Sequence, residues 1–170
     1  MLSPPILLPR QALCGPAWHV FLFIWLLLAS LSAFAAKPLI VDDSTVLVSD
    51  LQPHISYLSD PSHALELEQV IAQPSAFHSA SERTGLNFGY THDRVWLKTE
   101  LVSTAQTHTN WIVEMRYPSL DRVSLYSGGS GGVEVQHQGD TLPYEQRDMK
   151  HRNPIFMIRL EPGETRMLYI

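Results

Sequence analysis

From Arg94 onward the apolar residues recur at every second position, and that period excludes helix over most of this stretch. Val95, Leu97, Thr99 and Leu101 alternate with Trp96, Lys98, Glu100 and Val102. Trp111, Val113, Met115 and Tyr117 alternate with Ile112, Glu114 and Arg116, and Phe156, Ile158 and Leu160 with Ile155, Met157 and Arg159. Successive side chains on a strand point to opposite faces, so each segment has one mainly apolar face and one mixed face. Antiparallel sheets stacked face to face need that pattern. The connections agree with it. Ser127–Gly132 reads SGGSGG, expected to be a flexible hairpin loop, and Glu161–Glu164 reads EPGE, expected to be a tight turn. Short strands at roughly ten-residue spacing predict an all-β antiparallel sandwich.

The first residues read differently. Arg10 is the only charged side chain before Lys37, and Val20–Leu31 (VFLFIWLLLASL) is apolar apart from Ser30. Ala33-Phe34-Ala35 is a small-x-small triplet suited to signal peptidase. Residues 1–35 are therefore expected to be a signal peptide, favoured over the uncleaved anchor that the uncharged region could also supply. Cys14 is the only cysteine. It precedes the apolar run, and Gln11-Ala12-Leu13 is a poor lipobox. The expected mature domain then has no disulfide and no cysteine nucleophile. Export without cysteine fits a bacterial periplasmic domain that relies on its hydrophobic core. The 170 residues are enough for about one domain. The net charge of −5 is spread without any basic run, which argues against nucleic acid or anionic lipid as partner. After Ala36 no apolar segment is long enough to cross a membrane.

Catalytic and metal patterns are weak. His54, His63, His78, His92, His108, His137 and His151 show no spacing typical of a zinc site, so no metal and no cofactor is expected. No G-x-S-x-G elbow occurs, and Gly128–Gly132 lacks the lysine and following helix of a phosphate-binding loop. Asp42-Asp43 falls in a turn, and Glu66 with Glu68 would share one face of a strand. A secreted hydrolase is accordingly the weakest functional reading.

Four phrases carry a family resemblance: GYTHDRVWLKTELV (Gly89–Val102), NWIVEMRYPSLDRVSLY (Asn110–Tyr126), GDTLPYEQR (Gly139–Arg147) and HRNPIFMIRLEPGETRMLYI (His151–Ile170). Their order and spacing resemble the type 2 extracellular domain of bacterial seven-transmembrane receptors with diverse intracellular signalling modules, the 7TMR-DISM family. The resemblance covers residues 51–170. It implies a jelly-roll-like sandwich, similar to carbohydrate-binding modules, that senses a ligand in the periplasm and is not an enzyme. It also implies that the domain continues past Met167–Ile170, and that seven membrane helices and a cytoplasmic output region, absent from this chain, complete the receptor. Residues 36–50 are expected to be lead-in strands, Leu39–Val41 and Thr45–Val48, around a turn at Asp42–Ser44. The residues alone leave Ser62–Val70 open, either a helix capped at Ser62 or a strand with Leu65 and Leu67 on one face. The resemblance favours the strand.

The ligand expected is a small molecule such as a saccharide or a carboxylate. Sugars stack on aromatic rings while a few charged or amide groups fix their hydroxyls. Trp96, Trp111 and Phe156 lie in strands that bury at least one face and are expected to be core. Tyr144 lies in a polar connection, where packing explains it less fully. Arg147, His151 and Arg152 bracket the approach to the Phe156 strand, and a guanidinium suits carboxylates or vicinal hydroxyls. The same cations could simply pair with Glu145 and Asp148. Asp121 completes the candidate set, against the plainer reading that its carboxylate caps a turn. The alternative function is a protein–protein interaction module that binds along an exposed sheet edge without a small-molecule ligand.

Overall fold

The computed structural model describes residues 36–129 and 132–170. The expected signal peptide, with Cys14, and the centre of the glycine run (Ser130 and Gly131) lie outside the described residues. Within them the strands are β1 (Leu39–Val41), β2 (Ser56–Asp60), β3 (His78–Ser79), β4 (Arg94–Ser103), β5 (Asn110–Glu114), β6 (Val123–Gly129), β7 (Gly132–Gln138), β8 (Ile155–Arg159) and β9 (Thr165–Tyr169). One α-helix, α1 (Leu67–Ile71), interrupts them. No helix among the described residues is long and apolar enough to cross a membrane.

The ten residues of β4 organise the larger sheet. Its first half pairs antiparallel with β2 and its second half pairs parallel with β1, so two short strands share one edge. The opposite edge takes β9, and the sheet runs β3-β2-β4-β9-β6-β7. The smaller sheet is the antiparallel pair β5–β8. Among the described residues all pairings are antiparallel except β1 with β4.

Cross-strand partners share a face, so the registers identify what points inward. Phe156 and Ile158 of β8 pack on Val41, Leu101, Leu125 and Leu168 of the large sheet, with Trp111 and Val113 half-buried against them. This is the sandwich core that the period-two pattern predicts. Trp96 points the other way and is nonetheless buried, because α1 lies over it. Leu67 and Val70 pack on its ring, and Tyr126 flanks it at 5.7 Å between ring centroids. Trp96 and Phe156 are core residues, as expected.

Three expectations about local structure need correction. Leu65–Val70 is not a strand. Glu66 caps the N-terminus of α1, its own N–H donating to the Gln69 side chain at 2.8 Å in a capping box, so Glu66 and Glu68 share no strand face. Ser62 is not the cap either, since its N–H and hydroxyl donate to Asp60. Thr45–Val48 forms no strand; Val46 and Leu47 are 97% and 69% exposed, because no neighbouring strand meets their backbone. The turn before them is present, with the Ser44 N–H donating to the Asp42 carboxylate at 2.9 Å. The run Ser127–Gly132 is mostly strand. Ser127 pairs with Leu168, Gly128 with Met167, and Gly129 faces Gly132, so only residues 130 and 131 join β6 to β7. The Glu161–Glu164 turn is present, with Pro162 followed by Gly163 at φ +77° and a 3.0 Å bond from the Glu164 N–H to the Glu161 carbonyl.

Candidate functional site

The segment from β7 to β8 gathers most of the candidate ligand-binding residues. Its start is fixed by close backbone approach. Gly139 has φ +128°, and a Cβ there would lie 2.7 Å from the Asp121 carbonyl carbon. The Thr141 hydroxyl donates to the same Asp121 carbonyl at 2.6 Å, and the Asp140 N–H to the Leu120 carbonyl at 2.9 Å. Asp121 therefore acts here through its main chain. Its exposed carboxylate accepts no hydrogen bond among the described residues, so it does not cap the turn.

Pro143 presets the backbone for a 3-10 turn over Tyr144–Gln146. The Tyr144 hydroxyl donates to the Lys150 carbonyl at 3.1 Å. Arg147 folds back over the segment, its Nε donating to the Leu142 carbonyl at 3.2 Å and its Nη1 to the His151 carbonyl at 3.3 Å. Its guanidinium carbon lies 5.8 Å from the centre of the Tyr144 ring. Arg147 does not pair with Glu145 or Asp148. Glu145 is 3.5 Å from Lys150 instead, an exposed pair worth little.

The segment closes against β5. His151 Nδ1 accepts from the Asn153 N–H at 3.1 Å, and the Asn153 amide donates to Glu114 at 2.6 Å. That bond, with Arg116 and His151 nearby, holds the Glu114 carboxyl below the usual carboxylate range. Arg152 is exposed and makes no hydrogen bond among the described residues. Tyr144, Arg147 and His151 thus form one bonded cluster with Arg152 next to it in the chain. No side-chain bond ties Asp121 to them.

A second feature was not foreseen. On the outer face of the large sheet Tyr126, Gly128, Met167 and Tyr169 floor a shallow groove of about 570 Å³, walled by Ile71 of α1 and Val133 of β7. That volume falls within the range of small-molecule pockets. Gly128 makes the depression, since it stands between Met167 and Val133 without a side chain. The signal in the sequence was the continuation of the Tyr126/Gly128 alternation into residues read as loop. Groups of three or more His, Cys, Asp or Glu able to hold a metal are absent among the described residues.

Residues 52–170 match the family model described as 7TMR-DISM extracellular 2. No curated protein matches the chain.

Proposed function

The chain belongs to the 7TMR-DISM extracellular 2 family, sensor domains carried outside the membrane by receptors, and from that premise we propose that it binds a small saccharide or carboxylate in the periplasm. The observation that supports this is the state of Arg147. It is braced on the Tyr144 ring by two main-chain carbonyls, and among the described residues no carboxylate neutralises it. A ligand carboxylate or vicinal diol would meet the remaining guanidinium N–H groups, with the half-exposed ring as an apolar platform. Arg152 and His151 add positive charge and donors at the rim. Asp121 would take ligand hydroxyls only where the ligand extends beyond the cluster. The domain would act by binding and not by turnover, and a ligand would transmit a signal only through its unequal affinity for two packings of the domain.

A thermal-shift titration against panels of saccharides and carboxylates tests the reading, because a ligand specific to the folded state raises Tm with the logarithm of its concentration. Arg147→Ala and Arg152→Ala should each weaken the ligand found by about tenfold, the loss of one charge-assisted bond. Unchanged affinity in both variants would remove these residues from the site.

One observation favours the alternative, an interaction module. The free edge strand β7 points Val133 and Val135 outward, 52% and 45% exposed, beside the groove. A strand-adding protein would find both an open edge and an apolar face there. A stable stoichiometric complex formed without any small-molecule response would support it.

A further inference from the structure

Arg83, Tyr57 and Phe88 make a cluster that the loop cluster described above does not touch. The register Tyr57↔Leu97 places Tyr57 on the inner face of the large sheet, in the cluster of Ile55, Ala80 and Leu97. The Tyr57 and Phe88 rings meet edge to face, 5.3 Å apart at 65°. The guanidinium of Arg83 sits in the angle between them, 5.1 Å from the first ring and 4.6 Å from the second. His78 also lies beside Tyr57, with 5.7 Å between ring centroids.

This arrangement exceeds what the local chain needs to hold its shape. The segment is already pinned by main-chain bonds: the Arg83 N–H donates to the Ala80 carbonyl at 3.0 Å, and the Gln52 amide donates to the Ala80 and Arg83 carbonyls. The guanidinium has five N–H groups. One goes to the Asn87 carbonyl at 2.9 Å, and another reaches the Tyr57 hydroxyl only at 3.5 Å. Nε is buried and has no partner among the described residues. Buried donors in folded proteins are satisfied in the great majority of cases, and among the described residues only Trp96 Nε1, Trp111 Nε1, Gln138 Nε2 and the Ser103 hydroxyl share this state with Arg83 Nε, which alone of them stands on a cation.

We propose that Arg83 is the anchor of a binding site for a small flat carboxylate. The carboxylate would take the guanidinium fork in a bidentate pair, and the Phe88 and Tyr57 rings would flank the flat body of the ligand. A neutral amide of the same shape cannot form that pair, and a point charge on a lysine cannot reproduce the fork.

The test uses benzoate as probe and benzamide as its uncharged match, with the protein observed by ¹H–¹⁵N NMR of the arginine side chains and by titration calorimetry. Benzoate should shift the Arg83 Nε–Hε resonance saturably, and benzamide should not. Arg83→Gln and Arg83→Lys should each weaken benzoate at least tenfold, while Arg159→Ala, an exposed arginine paired with Glu161, leaves it unchanged. Phe88→Leu keeps an apolar side chain, serves where the arginine variants fold poorly, and should weaken it about threefold. An unmoved Nε–Hε resonance at saturating benzoate overturns the proposal, as does equal binding of benzamide or full affinity in Arg83→Lys.

Discussion

Gln136 supplies Met157 with both hydrogen bonds that a neighbouring strand would have made. Its Nε2 donates to the Met157 carbonyl at 2.8 Å and its Oε1 accepts the Met157 N–H at 3.3 Å. Gln136 lies opposite Leu125 and so points to the inner side of β7, while Met157 is on the edge of β8 away from β5. A primary amide has the donor and acceptor of a peptide unit, so it can terminate an open edge that would otherwise invite another chain. The two sheets are therefore tied by a polar clasp as well as by their core.

Gln136→Leu should remove that clasp and leave the Met157 backbone groups without partners. The expected loss is about 0.5–1.5 kcal/mol, the usual net worth of a hydrogen bond, because Met157 is 48% exposed and water can reach its backbone. Chemical denaturation would measure it, and the variant should also show more concentration-dependent association. A variant as stable as the parent, and no more prone to associate, would mean that water replaces the amide without cost.

Gly139 and Gly163 both have positive φ, +128° and +77°, but only Gly139 is crowded. An alanine at Gly139 would drive its Cβ into the Asp121–Arg122 backbone, whereas at Gly163 nothing lies within 4 Å. Gly163→Ala should cost about 1 kcal/mol from backbone conformation alone. Gly139→Ala should cost more than 3 kcal/mol, because backbone has to move. Equal costs in urea unfolding would show that the 120–140 crossing is softer than its geometry indicates.

Stability should decline on the acid side. Asp43 accepts the N–H groups of Gln106, Thr107 and His108 at 2.8, 2.9 and 2.9 Å, and these bonds hold its carboxyl well below the usual range. Burial raises the Asp60 carboxyl, but bonds from Ser62 and Leu65 and the charge of Arg94 outweigh it and leave a net lowering. A carboxylate with a depressed folded pKa contributes stability above its unfolded value, and that contribution fades as pH falls through the folded one. Melting temperature should thus be flat near neutrality and fall below about pH 4. Asp43→Asn should start lower at pH 7 and lose less on acidification. Parallel curves for the two proteins would exclude Asp43 as a source of the acid sensitivity.

The strands of the core were legible in the residues because burial on one face imposes its period directly, as in Leu97 and Leu101 or Phe156 and Ile158. α1 was not. Five residues carry little helical preference of their own, and what holds them is Trp96, a partner on a strand more than twenty residues away. Glu66 and Gln69 did spell a capping box, but that signal is short. The glycines of β6 were misread for a related reason: glycine favours turns locally, and only pairing with Met167 and Leu168 makes these residues strand. At the site, Tyr144, Arg147 and His151 are close in sequence, so their meeting was foreseeable. Arg83 meets Tyr57 only through the fold of β2 beside β4 and the loop behind it, which no spacing in the sequence encodes.

β9 lies between β4 and β6, so the strand that joins the earlier and later halves of the large sheet is the last of those described to leave the ribosome. Until it arrives, β2–β4 and β6–β7 are separate fragments with facing open edges, and neither has its share of Leu168 to close the core. Closure over such sequence distances is slow. A chain that crosses a membrane while unfolded would complete this sheet only after Thr165–Tyr169 had emerged, so that closing the sheet would follow translocation.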